Sequence, residues 1–410
     1  MLNPLLSSQS HLLLNGRVYD YAELTVGSSA DESAALSENA AATLEFCQQW
    51  LSGQDEFVIN TSGSTGAPKP ITLRREQMAT SARATGQALS LQAGQSALVC
   101  LPTRYIAGRM MLVRGFVLGL HMTVVEPSSN PLAALPADAH FDFTALTPLQ
   151  LHTILNGPPE QWVILERMWA ILIGGGPISA ALHHQLQHIT APLYHTYGMT
   201  ETVTHIALRR LNGPQASDAF APLPGVALGV DGRGCLTIRS AVTLGETVVT
   251  NDHVELRADG SFVWLGRLDN VINSGGVKVQ VEKVESALEQ VLFEFGDAEL
   301  ARRRFFVGAL PDERLGQMVA VIMEGEPLGE QRENALKTAL SRKVTRFEIP
   351  RRFCYLPQLC ETPTGKIDRP QNLMQMAACK ELEHLRTTAP IDDVASSIDV
   401  KWEAAKGTTE

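Results

Sequence analysis

At 410 residues the chain exceeds what one hydrophobic core usually fills, so two domains are expected. Its 44% hydrophobic content describes a globular protein, no apolar run approaches the ~18 residues that a membrane-spanning helix needs, and membrane insertion is not expected. A formal charge of −10 without a basic run argues against nucleic acid as partner, and six cysteines (47, 100, 235, 354, 360, 379) without CxxC spacing fit neither a zinc site nor a disulfide framework.

The start, "MLNPLLSSQSHLLLNGR", lacks the basic front of a signal peptide, and cytoplasm is the expected compartment. Residues 32–52 read as an amphipathic helix. "EFVIN" (56–60) reads as a buried strand, and Ile71 and Leu73 alternate with Thr72 and Arg74 as in a second one. The loop between them, "TSGSTGAPK", is either an exposed turn or a cradle in which Gly backbone, Ser and Thr hydroxyls and Lys69 hold phosphate. It is no GxxxxGK[ST] loop, because Pro70 follows Lys69 and disfavours a helix there. Strands and helices then alternate: "SALVCLP" (96–102), a helix near 107–119, "MTVVEP", a strand into "TALTP", a helix near 148–155, "WAILIGGG" (169–176), a helix near 179–189 and "PLYHTYG". Apolar strands followed by helices imply a mainly parallel sheet covered on both faces.

Past residue 224 the texture becomes period-2 alternation broken by "DG" turns, which predicts antiparallel hairpins. From Asp269 a compact α+β block follows: "LDNVINSGGVKV", a helix over 281–293, strands at "RRFFVGAL" and "QMVAVIM", a helix near 330–344 and "ETPTGKIDR". The expected fold is α/β with α+β: a large amino-terminal domain (1–268) of parallel and mixed sheets with a β-rich subdomain, a small domain (269–370), and a terminal helix with a loose tail (371–410).

Several stretches carry chemistry. "TSGSTGAPK" resembles the phosphate loop of the adenylate-forming superfamily, the acyl-CoA synthetases and their AMP-binding relatives. "YHTYGMTET" looks like that superfamily's YGxTE motif, "GRLDNVINSGGVKV" its hinge motif and "ETPTGKIDR" its carboxy-terminal lysine signature. The motifs stand in the family's order over roughly residues 57–370. The resemblance implies ATP bound by Thr61, Ser62, Gly63, Ser64, Thr65, Gly66 and Lys69 at its phosphates, by Gly174, Gly175, Gly176, Tyr197 and Gly198 at its base, and by Asp252 and Arg267 at its ribose. It implies Thr200 at the α-phosphate, Glu201 as ligand of Mg²⁺, Lys366 as catalytic lysine and Asp269 as pivot of a mobile small domain. Ser274, Gly275 and Gly276 would line a passage for the pantetheine of coenzyme A. Two departures stand out: the stretch before the phosphate loop is short, and Tyr105 in "LPTRYIAGRM" replaces the usual histidine.

The implied activity is that of an AMP-forming acid–thiol ligase. "LPTRYIAGRMMLVRGF", "VEPSSNPL", "YGMTETVTHIALRRLNG" and "CETPTGKIDR" together are similar to compact o-succinylbenzoate–CoA ligases of menaquinone biosynthesis. Such an acid carries a second carboxylate and needs a cation. Arg109 and Arg114, five apart on one predicted helix, cannot both face one way; Arg109, beside Gly108, is the candidate, with Tyr105, Thr204 and His205 as further pocket residues. His184 and His188 have chelating spacing but no third ligand nearby. A ligase for another aryl or acyl acid, a carrier-loading enzyme and a non-catalytic nucleotide binder are the competing readings; a homodimer is compatible with the sequence.

Overall fold

The structure, a computed structural model, describes residues 11–14, 16–21, 24, 36–60, 70–297, 299–361 and 367–376. It divides between Val271 and Ile272 into two compact units.

In the first unit nine strands of the described residues form one sheet. Its middle is parallel, in the order Leu193–Gly198, Ala170–Ile173, Phe143–Leu146, Ser96–Val99, His121–Val124 and His11–Leu14. Antiparallel strands flank it, His205–Arg210 and Ala221–Pro222 on one side and Arg17–Asp20 on the other. The parallel strands are apolar on both faces because helices cover both. Along one of them Ala170 and Leu172 enter one core and Ile171 and Ile173 the other. The first core is shared with helices Glu38–Leu51, Arg75–Leu89 and Ile106–Leu118, through Phe46, Met78 and Met110. The second is shared with Pro148–Leu155, Pro159–Glu166 and Ala180–Leu186, through Leu151, Ile164 and Leu182.

Local chemistry fixes the element ends. The helix expected from residue 32 starts at Glu38, because Ser37 Oγ accepts the Ala40 N–H at 3.1 Å and caps it there. Thr147 and Gln150 cap each other at the start of Pro148–Leu155, with Pro148 in the first turn. Helices Arg75–Leu89 and Pro159–Glu166 and strand Arg352–Leu356 are additions to the sequence expectation.

Strands Glu56–Asn60 and Pro70–Arg74 form a two-stranded sheet whose register pairs Asn60 with Pro70, so the ends of the phosphate-loop stretch lie side by side. Strands Ala227–Val230, Cys235–Arg239, Thr247–Leu256 and Phe262–Arg267 form the expected antiparallel meander. The second unit holds a five-stranded sheet with helices Val281–Glu294 and Glu330–Leu340 around its own core. The architecture is thus α/β with an antiparallel subdomain, followed by α+β. Among the described residues no helix is long and apolar enough to cross a membrane.

Candidate active site

Strand Leu193–Gly198 ends at the carboxyl edge of the parallel sheet, where open α/β sheets bind ligands. The chain then reverses through the short 3-10 turn Thr200–Thr202 and returns as His205–Arg210. The reversal is tight: a Cβ on Gly198 would lie 2.3 Å from the Thr204 carbonyl oxygen and 2.5 Å from His205 Cα. Val203 completes it at φ 67° and ψ −60°, while the Thr204 N–H donates to the Thr202 carbonyl at 2.7 Å, the pattern of a three-residue γ-turn. Thr202 Oγ1 stands 3.0 Å from the Met199 N–H and 2.9 Å from the Thr204 carbonyl, which pins the tip. Glu201 is left exposed and Thr200 half-buried on that tip.

Beside it, register pairing of Asp252 with Arg267 brings two candidate ribose residues together. The buried Asp252 carboxylate accepts Tyr197 Oη–H on Oδ2 at 2.5 Å and the Trp264 indole N–H on Oδ1 at 3.1 Å. Arg267 Nη1 stands 3.9 Å from Oδ1, while Nε and Nη2 grip both oxygens of Asp269 at 2.9 and 2.7 Å. That grip holds the Asp269 carboxyl below its ordinary range. Burial, then the Asp252 charge, pushes the Tyr197 phenol up, so it stays a donor. Its ring meets Phe262 edge-on at 5.0 Å.

Gly174, Gly175 and Gly176 leave the end of Ala170–Ile173. A Cβ on Gly174 would lie 2.6 Å from Thr196 Oγ1, and Gly175 sits at φ 85°, so this turn lies close to the neighbouring strand only as glycine. His195 joins the two: its Nε2 is 3.3 Å from the Gly176 carbonyl and its Nδ1 is 3.1 Å from Arg209 Nη2. Burial, then Arg209, pushes the His195 pKa down to about 4. The ring is therefore neutral, accepting at Nδ1 and donating at Nε2. Sequence reasoning passed over His195, although it sits two residues before Tyr197.

Helix Ile106–Leu118 and strand His205–Arg210 frame the other side. Tyr105, at the helix start, is exposed and lies under the Arg104 guanidinium at 4.9 Å. Arg109 is half-buried and spends Nε and Nη1 on the carbonyls of Thr103 and Val58, both at 3.2 Å. The structure brings Arg114, not Arg109, to His205: Nη2 lies 3.4 Å from His205 Nδ1 and Nε 3.4 Å from Thr85 Oγ1. Five residues at 100° each separate the two arginines by about 140° around the helix. Arg114 is 2% exposed, and among the described residues none of its contacts is a carboxylate. Burial pushes its guanidinium down to about 9, which leaves it charged at neutral pH. Burial, then the Arg114 charge, holds the His205 ring well below its ordinary pKa, so it is neutral, with Nε2 facing Thr85 Oγ1 at 3.0 Å. Thr204 is half-buried on the adjoining turn.

Residues 61–69 and 362–366, with the phosphate-loop candidates, Lys69 and Lys366, lie outside the described residues. Glu361 and Ile367, which bracket Lys366, pair across an antiparallel bridge. In the second unit Gly275 and Gly276, at φ 60° and 82°, turn the chain between Val271–Ser274 and Val277–Gln280, and Ser274 is buried and pairs with Gly316. No group of three or more His, Cys, Asp or Glu side chains able to hold a metal occurs among the described residues. The exposed single carboxylate of Glu201 suits Mg²⁺, which takes one or two carboxylates and completes its shell with phosphate oxygens and water.

Known proteins resemble this chain in sequence and fold. The family described as AMP-binding enzyme matches residues 14–254. A protein from Lactococcus lactis named 2-succinylbenzoate–CoA ligase is 25% identical, with 88% of this chain and 84% of its own length covered. A probable 2-succinylbenzoate–CoA ligase of Mycobacterium tuberculosis is 29% identical over 76% of this chain and 82% of its own. Among solved structures, an acyl-CoA synthetase (AMP-forming)/AMP-acid ligase II-like protein from Dyadobacter fermentans is 42% identical, covers 85% of this chain and 99% of its own, and superposes with a TM-score of 0.56. The o-succinylbenzoate CoA synthetase of Bacillus subtilis, in complex with its acyl-adenylate intermediate, is 20% identical, with 77% and 68% covered and a TM-score of 0.63, and so shares the fold. With more than half of its length matched by that family's model, the chain belongs to the AMP-binding enzyme family.

Proposed function

We propose that this AMP-forming acid–CoA ligase activates o-succinylbenzoate, an aromatic acid with a second carboxylate, and transfers it to coenzyme A. The observation that carries the reading is Arg114, a buried cation without a carboxylate partner among the described residues, in contact with His205, the residue that follows the Thr200–Thr204 turn. An uncompensated buried charge costs several kcal/mol, and a second substrate carboxylate offsets that cost on binding. Relatives named for this substrate support the choice.

The roles follow the chemistry of each group. Residues 61–66 and Lys69 hold the β- and γ-phosphates, the Gly174–Gly176 turn and Tyr197 frame the adenine, and Asp252 and Arg267 receive the ribose hydroxyls. Glu201 holds Mg²⁺, which when bound neutralises phosphate charge. The substrate carboxylate attacks the α-phosphorus, one P–O bond forms as another breaks, and pyrophosphate leaves in line. Thr200 and Lys366 stabilise the charge that grows on the phosphoryl oxygens, each such donor being worth ~10²–10³ in rate. The coenzyme A thiol, losing its proton, then attacks the acyl carbon and AMP departs; Ser274, Gly275 and Gly276 line its approach.

The test is a panel of carboxylic acids with ATP, Mg²⁺ and coenzyme A, reading AMP and thioester. o-Succinylbenzoate should give the highest kcat/KM, and Lys366→Ala should lose adenylate formation while still making thioester from preformed acyl adenylate. A monocarboxylate preferred over o-succinylbenzoate, or loss of both half-reactions together in Lys366→Ala, refutes the corresponding assignment.

A further inference from the structure

We propose that Trp264 is a positioning residue for the ribose carboxylate of Asp252, and that it sets how strongly the enzyme prefers a ribonucleotide over its 2′-deoxy analogue. The proposal rests on the reading of Asp252 as ribose ligand.

Asp252 is 6% exposed, and both of its oxygens already accept from neutral donors: Oδ2 from Tyr197 and Oδ1 from Trp264. A carboxylate has about four lone-pair sites, so one on each oxygen remains for the two vicinal hydroxyls of a ribose. The terminal torsion of Asp is soft, and hydrogen-bond donors decide where the carboxylate plane lies. Here a competing cation is at hand. Arg267 Nη1 stands 3.9 Å from Oδ1, beyond hydrogen-bond reach. With the indole N–H on Oδ1, the carboxylate keeps its plane and stays clear of Arg267. Without it, the plane turns toward Arg267 and one site meant for a hydroxyl is consumed.

A defect in the sheet makes this contact. Asp252 pairs with Arg267 and His253 with Gly266, but Val254 pairs with Trp264, so the ladder slips by one residue at Leu265. In regular register Val254 would face Leu265, and Trp264 would point to the opposite side of the sheet. The bulge re-aims Trp264 to the face that carries Asp252. Trp264 is 36% exposed, so part of its ring stays outside the core.

The experiment compares the full-length enzyme and Trp264→Phe with ATP and with 2′-deoxy-ATP, reading AMP release with the best acid of the panel. Phe keeps an aromatic ring and loses the donor; the exposed site tolerates it, equal melting temperatures check the fold, and Trp264→Leu, which also lacks a donor, replaces it should Phe not fold. The wild type should prefer ATP, and the variant should lose about 3- to 10-fold of that preference, the worth of one hydrogen bond. The loss should fall on the KM for ATP at nearly constant kcat, because ribose contacts are alike in ground and transition states. A tryptophan that merely packs would weaken both nucleotides equally. An unchanged ATP to 2′-deoxy-ATP ratio in the variant overturns the proposal alone, whereas a wild type indifferent to the 2′-hydroxyl overturns the ribose assignment and the proposal with it.

Discussion

Replacing Arg114 with Met should make the protein more stable and a worse enzyme at once. The guanidinium is 2% exposed, and burial alone brings it from 12.5 down to about 9. At 1.36 kcal/mol per unit, holding that charge in the fold costs roughly 4–5 kcal/mol. Met keeps the length and removes the charge, but it leaves His205 Nδ1 buried without its donor, at a cost of about 1–3 kcal/mol. The net expectation is a gain of about 1–4 kcal/mol, in line with other buried charges replaced by apolar residues. A substrate carboxylate arriving opposite Met finds no cation, which costs about 3–5 kcal/mol, or roughly 10²- to 10⁴-fold in kcat/KM for the dicarboxylic acid. The matched monocarboxylate should change less than about threefold. Urea unfolding gives the first quantity and AMP release with the acid pair gives the second. A variant that is less stable by several kcal/mol and discriminates the two acids as the wild type does would show that Arg114 serves the core, and the charge-receptor reasoning would fall.

Two further outcomes follow from the same geometry. His195 and His205 are both held neutral below their ordinary pKa, so in acid the unfolded chain binds protons that the folded one refuses. Stability should therefore be intact above pH 6.5 and fall below it, for His195 down to about pH 4, at about 1.4 kcal/mol per pH unit for each histidine. Urea unfolding at pH 7.5, 6.5 and 5.5 measures the slope; His195→Gln should flatten it, and an identical slope in the variant would contradict the buried-neutral assignment. Gly198→Ala forces a methyl to 2.3 Å from the Thr204 carbonyl, so the hairpin must spread. The expected loss is about 1–3 kcal/mol, with acid-dependent pyrophosphate exchange reduced well beyond the fall in folded fraction. Unchanged exchange would mean that the turn does not place Thr200 and Glu201.

Much of the fold was legible because its signals are local. Apolar runs such as "AILIG", short, rich in branched residues and ended by glycines, read as strands buried on both sides, and the "DG" dipeptides mark the hairpins at 231–232 and 259–260. Helix Arg75–Leu89 was not legible: between Met78 and Leu89 its buried face is Ala79, Ser81, Ala82, Thr85 and Gly86, small or hydroxylated, so only a weak apolar stripe announces it. At the site, motif order identified Tyr197, Asp252 and Arg267, and the structure brings these three to one corner. What escaped depends on long-range geometry. Thr85 meets His205 across 120 residues, and the choice between Arg109 and Arg114 turns on which side of a helix faces a distant strand. Trp264 reaches Asp252 only because of a slipped ladder, which no alternation of residue types reveals.

The γ-turn at Val203 bears on how this enzyme can be improved. A β-branched residue at positive φ is a local conformational excess of about 1–3 kcal/mol, sustained by its complete burial and by the bonds of Thr202. A search for thermostable variants would be drawn to relieve it, since glycine accepts that backbone freely. Yet the contortion keeps Thr200 and Glu201 on a short, rigid tip at the edge of the sheet. Heat resistance obtained at this position would therefore tend to slacken the tip, so engineering for robustness should begin elsewhere in the chain.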